Sequence, residues 1–141
     1  KVPHRWEFRH DHIGYNYRMP NINAALGCAQ LENLDKYIAS KRKVAQEYID
    51  YFKNVDDIDF FVEPENTFSN YWLSAIVMKD KDAQLDFLQQ ANDNGVMTRP
   101  IWELMNRLPM FENCENDGLK NTIWFADRVV NIPSSVRVED L

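Results

Sequence analysis

The segment Tyr71–Met78 constrains the fold more than any other part of the sequence. Its residues are apolar at both odd and even positions, and Ser74 is the one interruption. Because neighbouring side chains of a strand point to opposite faces of a sheet, both faces of such a strand are expected to be covered. The pattern therefore predicts a central strand in a sheet that is layered by helices.

Two helical patterns precede this segment. Asn21 is expected to cap the first helix, whose apolar residues recur at helical spacing: Ile22, Ala25, Leu26 and Ala29. The second pattern runs from about residue 34 to residue 52, and its apolar face consists of Ile38, Ala45, Tyr48, Ile49 and Phe52. The cluster Lys41–Lys43 is expected to lie on the solvated side of this second helix. Gly27, which costs about 1 kcal/mol relative to Ala inside a helix, predicts close packing of the first helix against another helix or subunit.

The remaining patterns complete an α+β fold. Asp82 is expected to cap a third helix that ends at Asn94–Gly95, and the region 100–109 is expected to be a loop with one helical turn. The other expected elements are strands over Ile58–Val62 and Val96–Thr98 and a last helix from about Gly118 to Val130. This order predicts a small antiparallel or mixed sheet covered by helices.

Composition and charge narrow the possible functions. A chain of 141 residues suits one domain, and 45% hydrophobic with 27% charged residues is typical of a folded protein. The net charge is −6 and the acidic residues are spread along the chain, which argues against a nucleic-acid binder with a clustered basic face. No apolar run is long enough to span a bilayer, and no signal peptide is recognisable.

The two cysteines and the first residues bear on the context of the chain. Cys28 and Cys114 fit no metal spacing, and we expect them to be reduced thiols in a cytoplasmic protein. The sequence begins KVPHRWEF, without Met, which is expected of a processed product or a piece of a longer polypeptide.

Two stretches have the residue types of a binding site. In Gly14–Arg18, the glycine permits close backbone approach, Asn16 offers amide donors and Arg18 offers a planar fork for phosphate or carboxylate. Thr98–Trp102 directly follows an expected strand, where binding loops often lie. The alternative for this second stretch is an arginine paired with a surface acid and a tryptophan that covers the core.

The sequence shows no complete catalytic constellation. It contains no glycine-rich phosphate loop and no Gly-x-Ser-x-Gly turn. One acidic and three imidazole side chains are close together near the start: His4, His10, Asp11 and His12. They are candidates for surface groups, for ligand contacts or for a metal site, although a zinc site wants four well-spaced ligands.

Four segments of the chain resemble one enzyme family. These are GYNYRMPNINAALGCAQLENLDKYIASKRKVAQEYIDYF, NYWLSAIVM, GVMTRPIWELMNRLPMF and NIPSS. They are similar in kind and order to segments of the DegT/DnrJ/EryC1/StrS sugar-nucleotide aminotransferases, which are pyridoxal-phosphate enzymes with the aspartate aminotransferase fold. The TRPIW segment is similar to the subgroup that makes 4-amino-4,6-dideoxy sugars.

The resemblance implies a fold and an activity. It implies that the chain is the C-terminal small domain. Residues 1–20 lack periodicity and contain Pro3 and Pro20, so we expect them to form an extended arm, with the domain over residues 21–141. The large domain with the Schiff-base lysine would lie upstream, and Lys1 is not that lysine. The complete enzyme would be a cytoplasmic homodimer that transfers an amino group from glutamate to a 4-keto-6-deoxy sugar nucleotide. The chain alone would neither hold the cofactor nor turn over.

The resemblance also implies roles for single residues. Asn16 would reach the cofactor phosphate in the other subunit of the dimer, and Arg18 would lie near the entrance of the same site. The further candidates for substrate contact are His12, Arg99 and Trp102. Two alternatives stay open: a non-catalytic module for nucleotide-sugar binding or dimerisation, and a small metal-binding protein that uses the histidines near the start.

Overall fold

The segment that is apolar on both faces forms the interior of an antiparallel sheet. The computed structural model describes residues 3–140, so that Lys1 lies outside the described residues. The helices are α1 (Asn21–Leu31), α2 (Leu34–Phe52), α3 (Lys81–Asp93) and α4 (Lys120–Ala126), and the strands are β1 (Ile58–Phe60), β2 (Ser74–Met78), β3 (Arg99–Pro100) and β4 (Val129–Ile132). Short 3-10 helices span Met105–Arg107 and Val138–Asp140. The strand order is β1-β2-β4-β3, and every neighbouring pair is antiparallel.

One face of the sheet carries the core. The buried cluster consists of Ile76, Met78, Leu88, Val130 and Ile132, and side chains of α2 and α3 pack against it. Ala75 and Val77 point to the opposite face, where they are half-buried. The two-sided apolar pattern of β2 is thus confirmed as a central strand, with one face covered more completely than the other.

The apolar face of α2 is confirmed, whereas two expected helix caps are wrong. Pro20 holds the N-cap position of α1, so Asn21 is the first helical residue and makes no side-chain cap. At α3 the carboxylate of Asp80 accepts a hydrogen bond from the Ala83 backbone N–H at 2.9 Å, and Asp82 lies in the first turn. The α3 terminus is as expected, since Gly95 adopts a φ of +78° there.

The expected last helix is wrong in its second half. Helix α4 ends at Ala126, and Val129–Ile132 form β4, which lies between β2 and β3. The β-branched residues of this segment favour a strand once a partner strand is available. That partner is β2, in which Ser74 lies opposite Ile132. The strand expected at Val96–Thr98 falls at Arg99–Pro100, where it pairs with β4.

Two expected strands are longer than the strands of the structure. Strand β1 ends at Phe60 and β2 begins at Ser74, so Val62 and Tyr71 lie outside the sheet. Tyr71 has a φ of +43°, which is incompatible with an extended strand. The expected helical turn in the region 100–109 is confirmed as the 3-10 helix Met105–Arg107.

Helix α1 buries none of its residues within this chain. Ile22 and Leu26 are largely exposed, and a Cβ placed on Gly27 would meet nothing within 4 Å. The close packing expected at Gly27 is therefore not made by the described part of the chain. Among residues 3–140, none of the helices has the length and apolar character needed to cross a membrane.

Gln84 is a buried polar residue that the helical pattern of α3 did not indicate. Its Nε2 donates to the carbonyl oxygens of Ala126 at 3.0 Å and Val129 at 2.8 Å, and its Oε1 accepts from Lys81 Nζ at 2.8 Å. The Gln84 side chain thereby holds the connection between α4 and β4 against α3. These hydrogen bonds fix the point at which the expected helix instead becomes a strand.

We expect Gln84→Leu to destabilise the protein by about 1–3 kcal/mol, because it leaves buried carbonyl groups without a donor. Gln90→Leu on the exposed side of the same helix is the matched control and should change stability by less than about 0.5 kcal/mol. Urea denaturation of the two variants measures the difference. Equal stability of the two variants would show that the buried amide is not needed.

Candidate functional site

Asn16 and Arg18 form a tight turn in the exposed arm. The Asn16 Oδ1 accepts a hydrogen bond from the Arg18 backbone N–H at 2.8 Å, and Arg18 adopts a φ of +73°. Because the backbone N–H is a donor, the oxygen of the amide must face the turn. The NH₂ end of Asn16 is therefore the end that can donate to a ligand.

His4 and His12 near the start are bonded to their own neighbours, and the histidines are not grouped with enough other metal-ligating side chains to hold a metal ion in the described part of the chain. His4 Nδ1 accepts from the backbone N–H groups of Trp6 at 3.4 Å and Glu7 at 3.1 Å. His12 Nδ1 lies 3.1 Å from Asp11 Oδ1, and the hydrogen bond from His12 lowers the pKa of the Asp11 carboxyl. Within residues 3–140, no three His, Cys, Asp or Glu side chains are grouped so that they could hold a metal ion.

Arg99 and Trp102 lie next to Glu7 and Phe8 of the arm. The Arg99 guanidinium carbon lies 4.9 Å from the centre of the Phe8 ring, and Trp102 lines a small cavity together with Glu7 and Phe8. Trp102 is 71% exposed, so it does not cover the core. In the described part of the chain Arg99 has no ion pair with an acid. The alternative from the sequence, an arginine paired with a surface acid and a tryptophan that covers the core, is therefore wrong for both residues.

The candidate residues fall into two groups. Arg99 and Trp102 lie together beside the sheet, whereas His12, Asn16 and Arg18 lie in the exposed part of the arm. No hydrogen bond, ion pair or ring contact within residues 3–140 joins the two groups. One chain by itself therefore does not assemble these five residues into one site.

Trp72 is a candidate that the sequence analysis missed. It lies just before β2, is 65% exposed, and lines a cavity of about 380 Å³ with Trp102. The other lining residues are Leu73, Ile101 and Asn131. A signal was present in the sequence, since Trp72 belongs to an aromatic pair at the start of the central strand. Trp72 was not recognised as a candidate because an apolar residue in a predicted central strand was expected to be buried.

Glu63 holds the loop that leads to Trp72. Its carboxylate makes two hydrogen bonds with the Arg42 guanidinium, at 2.7 and 3.0 Å, and accepts one from the Ser69 backbone N–H at 2.5 Å. Arg42 also donates to the Ser69 carbonyl oxygen at 2.6 Å and lies over the Phe68 ring. Two charged side chains thus tie both ends of the loop to helix α2.

The expectation that Lys41–Lys43 is merely the solvated side of α2 is wrong. Arg42 and Lys41 both point into the loop contacts, and Lys41 Nζ donates to the backbone carbonyl oxygens of Trp72, at 3.1 Å, and Ser134. Partial burial lowers the pKa of Lys41. Lys43 is the exposed member, and it bonds Asp140 at 3.0 Å. The partners of Lys41 and Arg42 are loop carbonyl groups and a loop carboxylate that are far from α2 in the sequence. The charge pattern of the helix alone therefore could not indicate these contacts.

Tyr71 carries backbone strain directly before Trp72. The buried Tyr71 has a φ of +43°, a region that a bulky aromatic residue rarely adopts. Its hydroxyl accepts a hydrogen bond from the Glu63 backbone N–H at 3.2 Å, and its own N–H donates to Ser69 Oγ at 3.0 Å. Such strain persists only where the surroundings over-determine the conformation. The loop contacts therefore determine where Trp72 is placed.

The Glu63 contacts predict a pH-dependent stability. Hydrogen bonds from Arg42 and from the Ser69 N–H lower the pKa of Glu63 from 4.5 to about 2. Because the pKa of Glu63 is lower in the folded protein than in the unfolded chain, the ionised carboxylate stabilises the fold at pH values above the unfolded pKa. This stabilisation is lost as pH falls from about 4.5 towards 2. We therefore expect Glu63→Gln to destabilise the protein at neutral pH and to differ less from the wild type as pH approaches 2.

Denaturant unfolding of both proteins between pH 7 and pH 2.5 checks this expectation. Glu65→Gln, at an exposed position in the same loop, is the matched control. A constant difference between wild type and Glu63→Gln over this pH range would contradict the role given to the ionised carboxylate.

Known proteins establish the family of the chain. Residues 2–140 match the model of the DegT/DnrJ/EryC1/StrS aminotransferase family. The chain belongs to this family. The resemblance carried by the Gly14–Arg18 motif and by the later segments is thereby confirmed, and the family depends on pyridoxal phosphate.

Individual relatives agree with this assignment. The chain is 34% identical over 131 residues to GDP-perosamine synthase of Vibrio cholerae, an alignment that covers 89% of this chain and 35% of that protein. The structure of Helicobacter pylori PseC, an aminotransferase involved in the biosynthesis of pseudoaminic acid, is matched with a TM-score of 0.76 at 19% identity, over 99% of this chain and 39% of that one.

A third protein has been solved with the cofactor. The structure of Escherichia coli GDP-4-keto-6-deoxy-D-mannose-3-dehydratase with bound hydrated PLP is matched with a TM-score of 0.62 at 19% identity, over 88% of this chain and 33% of that one. These likenesses confirm the α+β fold with a small antiparallel sheet. The chain spans about a third of the length of the relatives it matches.

Proposed function

We propose that this chain is the C-terminal small domain of a pyridoxal-phosphate-dependent aminotransferase that acts on nucleotide sugars. The family match over residues 2–140 is the observation that carries the proposal. The complete enzyme would transfer an amino group from glutamate to a 4-keto-6-deoxy sugar nucleotide, in the cytoplasm and as a homodimer. A large domain upstream of the chain would supply the Schiff-base lysine.

Pyridoxal phosphate, when bound, supplies a carbonyl that accepts the amino group and a ring that acts as an electron sink. The residues of the arm fit its phosphate group. Asn16 has its oxygen committed to the turn with Arg18, so its NH₂ end can donate to a phosphate oxygen without adding charge. We infer that it does so in the other subunit of the dimer, because one chain brings no other candidate residue to Asn16.

Substrate binding would use the remaining candidates. The exposed guanidinium groups of Arg18 and Arg99 suit the carboxylate of the amino donor or the diphosphate of the nucleotide sugar. Trp102 presents an exposed indole to a sugar or base face. His12 Nδ1 donates to Asp11 in the same arm as Asn16, and in a neutral ring Nε2 would accept a hydrogen bond from a hydroxyl group of the substrate. This chain itself supplies binding and orientation.

The first test is turnover by the full-length protein. With glutamate and a GDP-linked 4-keto-6-deoxy sugar, we expect the 4-amino sugar nucleotide as product, detected by mass spectrometry. The 141-residue chain alone, mixed with pyridoxal phosphate, should give neither product nor a lysine-dependent cofactor absorbance band. Absence of product from the full-length protein, with nucleotide-sugar binding retained, would favour the alternative of a non-catalytic binding module.

A second test separates a ligand role of Asn16 from its role in the turn. In the full-length protein, Asn16→Asp keeps an oxygen that accepts from the Arg18 N–H but removes the NH₂ donor. We expect both Asn16→Ala and Asn16→Asp to weaken cofactor retention by about tenfold or more, since a hydrogen bond to a charged group contributes about 1.5–3 kcal/mol. Cofactor release during dialysis, followed by absorbance, measures this.

The control for this test is Asn54→Ala, at an exposed turn after α2. It should leave cofactor retention unchanged. If Asn16→Asp behaved like the wild type while Asn16→Ala did not, the turn would be the function of Asn16 and the phosphate contact would be rejected.

A further inference from the structure

We propose that Trp72 and Trp102 form the subsite for the base of the nucleotide, and that Lys41, Arg42 and Glu63 are positioning residues that hold Trp72 there. This inference rests on the proposed function, because it names the part of a nucleotide-sugar substrate that this cavity receives. Trp72 comes from the loop before β2 and Trp102 from the loop after β3, so two distant segments build one aromatic cavity.

The composition of the cavity suits a neutral aromatic ring. Its volume of about 380 Å³ lies within the usual range of ligand pockets, and none of its five lining residues is charged. Asn131 adds a polar group, whose Nδ2 donates to the Pro100 carbonyl oxygen at 3.4 Å. The Oδ1 atom of this amide remains as an acceptor for an N–H group on a base. Exposed tryptophans stack on any base, because every base has a π-face.

The strand register places a cationic residue on the same sheet face as this cavity. Arg99 of β3 lies directly opposite Asn131 of β4. Directly opposed residues of an antiparallel pair point to the same face of the sheet. The guanidinium group of Arg99 therefore belongs to the face on which Asn131 lines the cavity. A neutral aromatic cavity on the same sheet face as an arginine is complementary to a base followed by a diphosphate.

The loop contacts hold Trp72 in place from both sides. The Trp72 N–H donates to Asn70 Oδ1 at 2.9 Å, and its carbonyl oxygen accepts from Lys41 Nζ at 3.1 Å and from Ser134 Oγ at 3.3 Å. The strained Tyr71 before it is fixed by the Arg42–Glu63 pair described above. A large apolar side chain that stays exposed on an over-determined backbone is typical of a ligand contact.

The test measures binding of GDP and of inorganic pyrophosphate to the full-length protein by calorimetry. Pyrophosphate has the charges of the diphosphate and lacks the base. We expect Trp72→Ala and Trp102→Ala each to weaken GDP binding by about tenfold, and to leave pyrophosphate binding within about twofold of the wild type. Trp124→Ala, which removes an exposed tryptophan of α4 outside this cavity, should change neither affinity.

Lys41→Met tests the positioning role, because it keeps the aliphatic stem and removes the donor to the Trp72 carbonyl. We expect it to raise the KM for the nucleotide sugar while leaving the KM for glutamate unchanged. Thermal unfolding of each variant shows whether it is folded. A merely structural role of Lys41 would lower the unfolding temperature without separating the two KM values.

Several results would overturn the subsite. These are no GDP binding by the wild type, equal losses for GDP and pyrophosphate, or unchanged GDP affinity in both tryptophan variants. Unchanged affinity with a lowered unfolding temperature would show that another part of the protein covers the cavity. The proposed function fails separately, when the wild type binds GDP in a base-dependent manner but transfers no amino group from glutamate.

Discussion

The pairing of β2 with β4 is the interaction on which the rest of the structure depends. It places Ile76 and Val130, both fully buried, opposite each other at the centre of the core. It also brings Asn131 to the face away from that core and gives β3 a strand to pair with. Without β4, the Arg99 segment would have no sheet edge, and the loop with Trp102 would have no fixed starting point. One long-range strand pair therefore determines both the core and the position of the candidate substrate residues.

The sequence predicted local elements well and long-range choices poorly. The amphipathic face of α2 and the two-sided apolar pattern of β2 specify their structure through nearby residues, so both were recognised. The segment Val129–Ile132 fits the end of a helix as well as a strand, and only its partner β2 decides between them. The same reason explains why Asp82 was expected to cap α3 instead of Asp80, since the identity of the cap depends on where the helix begins. The family motifs singled out Asn16 and Arg18 of the arm as candidates, whereas Trp72 and Arg42 became candidates only through the loop geometry.

The charged residues of α2 show how a helix that covers a sheet can also control a binding loop. Arg42 and Lys41 lie on the border between the apolar face and solvent, where long side chains can reach sideways. Their charged groups donate hydrogen bonds to a carboxylate and to loop carbonyl oxygens instead of to water. A buried apolar residue could hold the loop by packing, but it could not select the conformation with Tyr71 at positive φ. Hydrogen bonds to specific backbone groups select it, and the exposed position of Trp72 follows from that choice.

In the proposed function, the arm and the sheet would each contribute residues to one polar ligand site, but the two are positioned differently. Arg99 lies in the edge strand β3 and Trp102 in the loop that follows it, so their positions are set by the fold of one chain. Asn16 and Arg18 lie in the part of the arm, residues 9–20, that makes its own turn and is exposed throughout, next to a helix α1 that also buries nothing. An apolar helix with small side chains needs a second surface to be stable in water. If that surface belongs to another subunit, the contact that stabilises α1 would also bring Asn16 to the proposed cofactor phosphate, so that formation of the interface and assembly of the cofactor site would be one event.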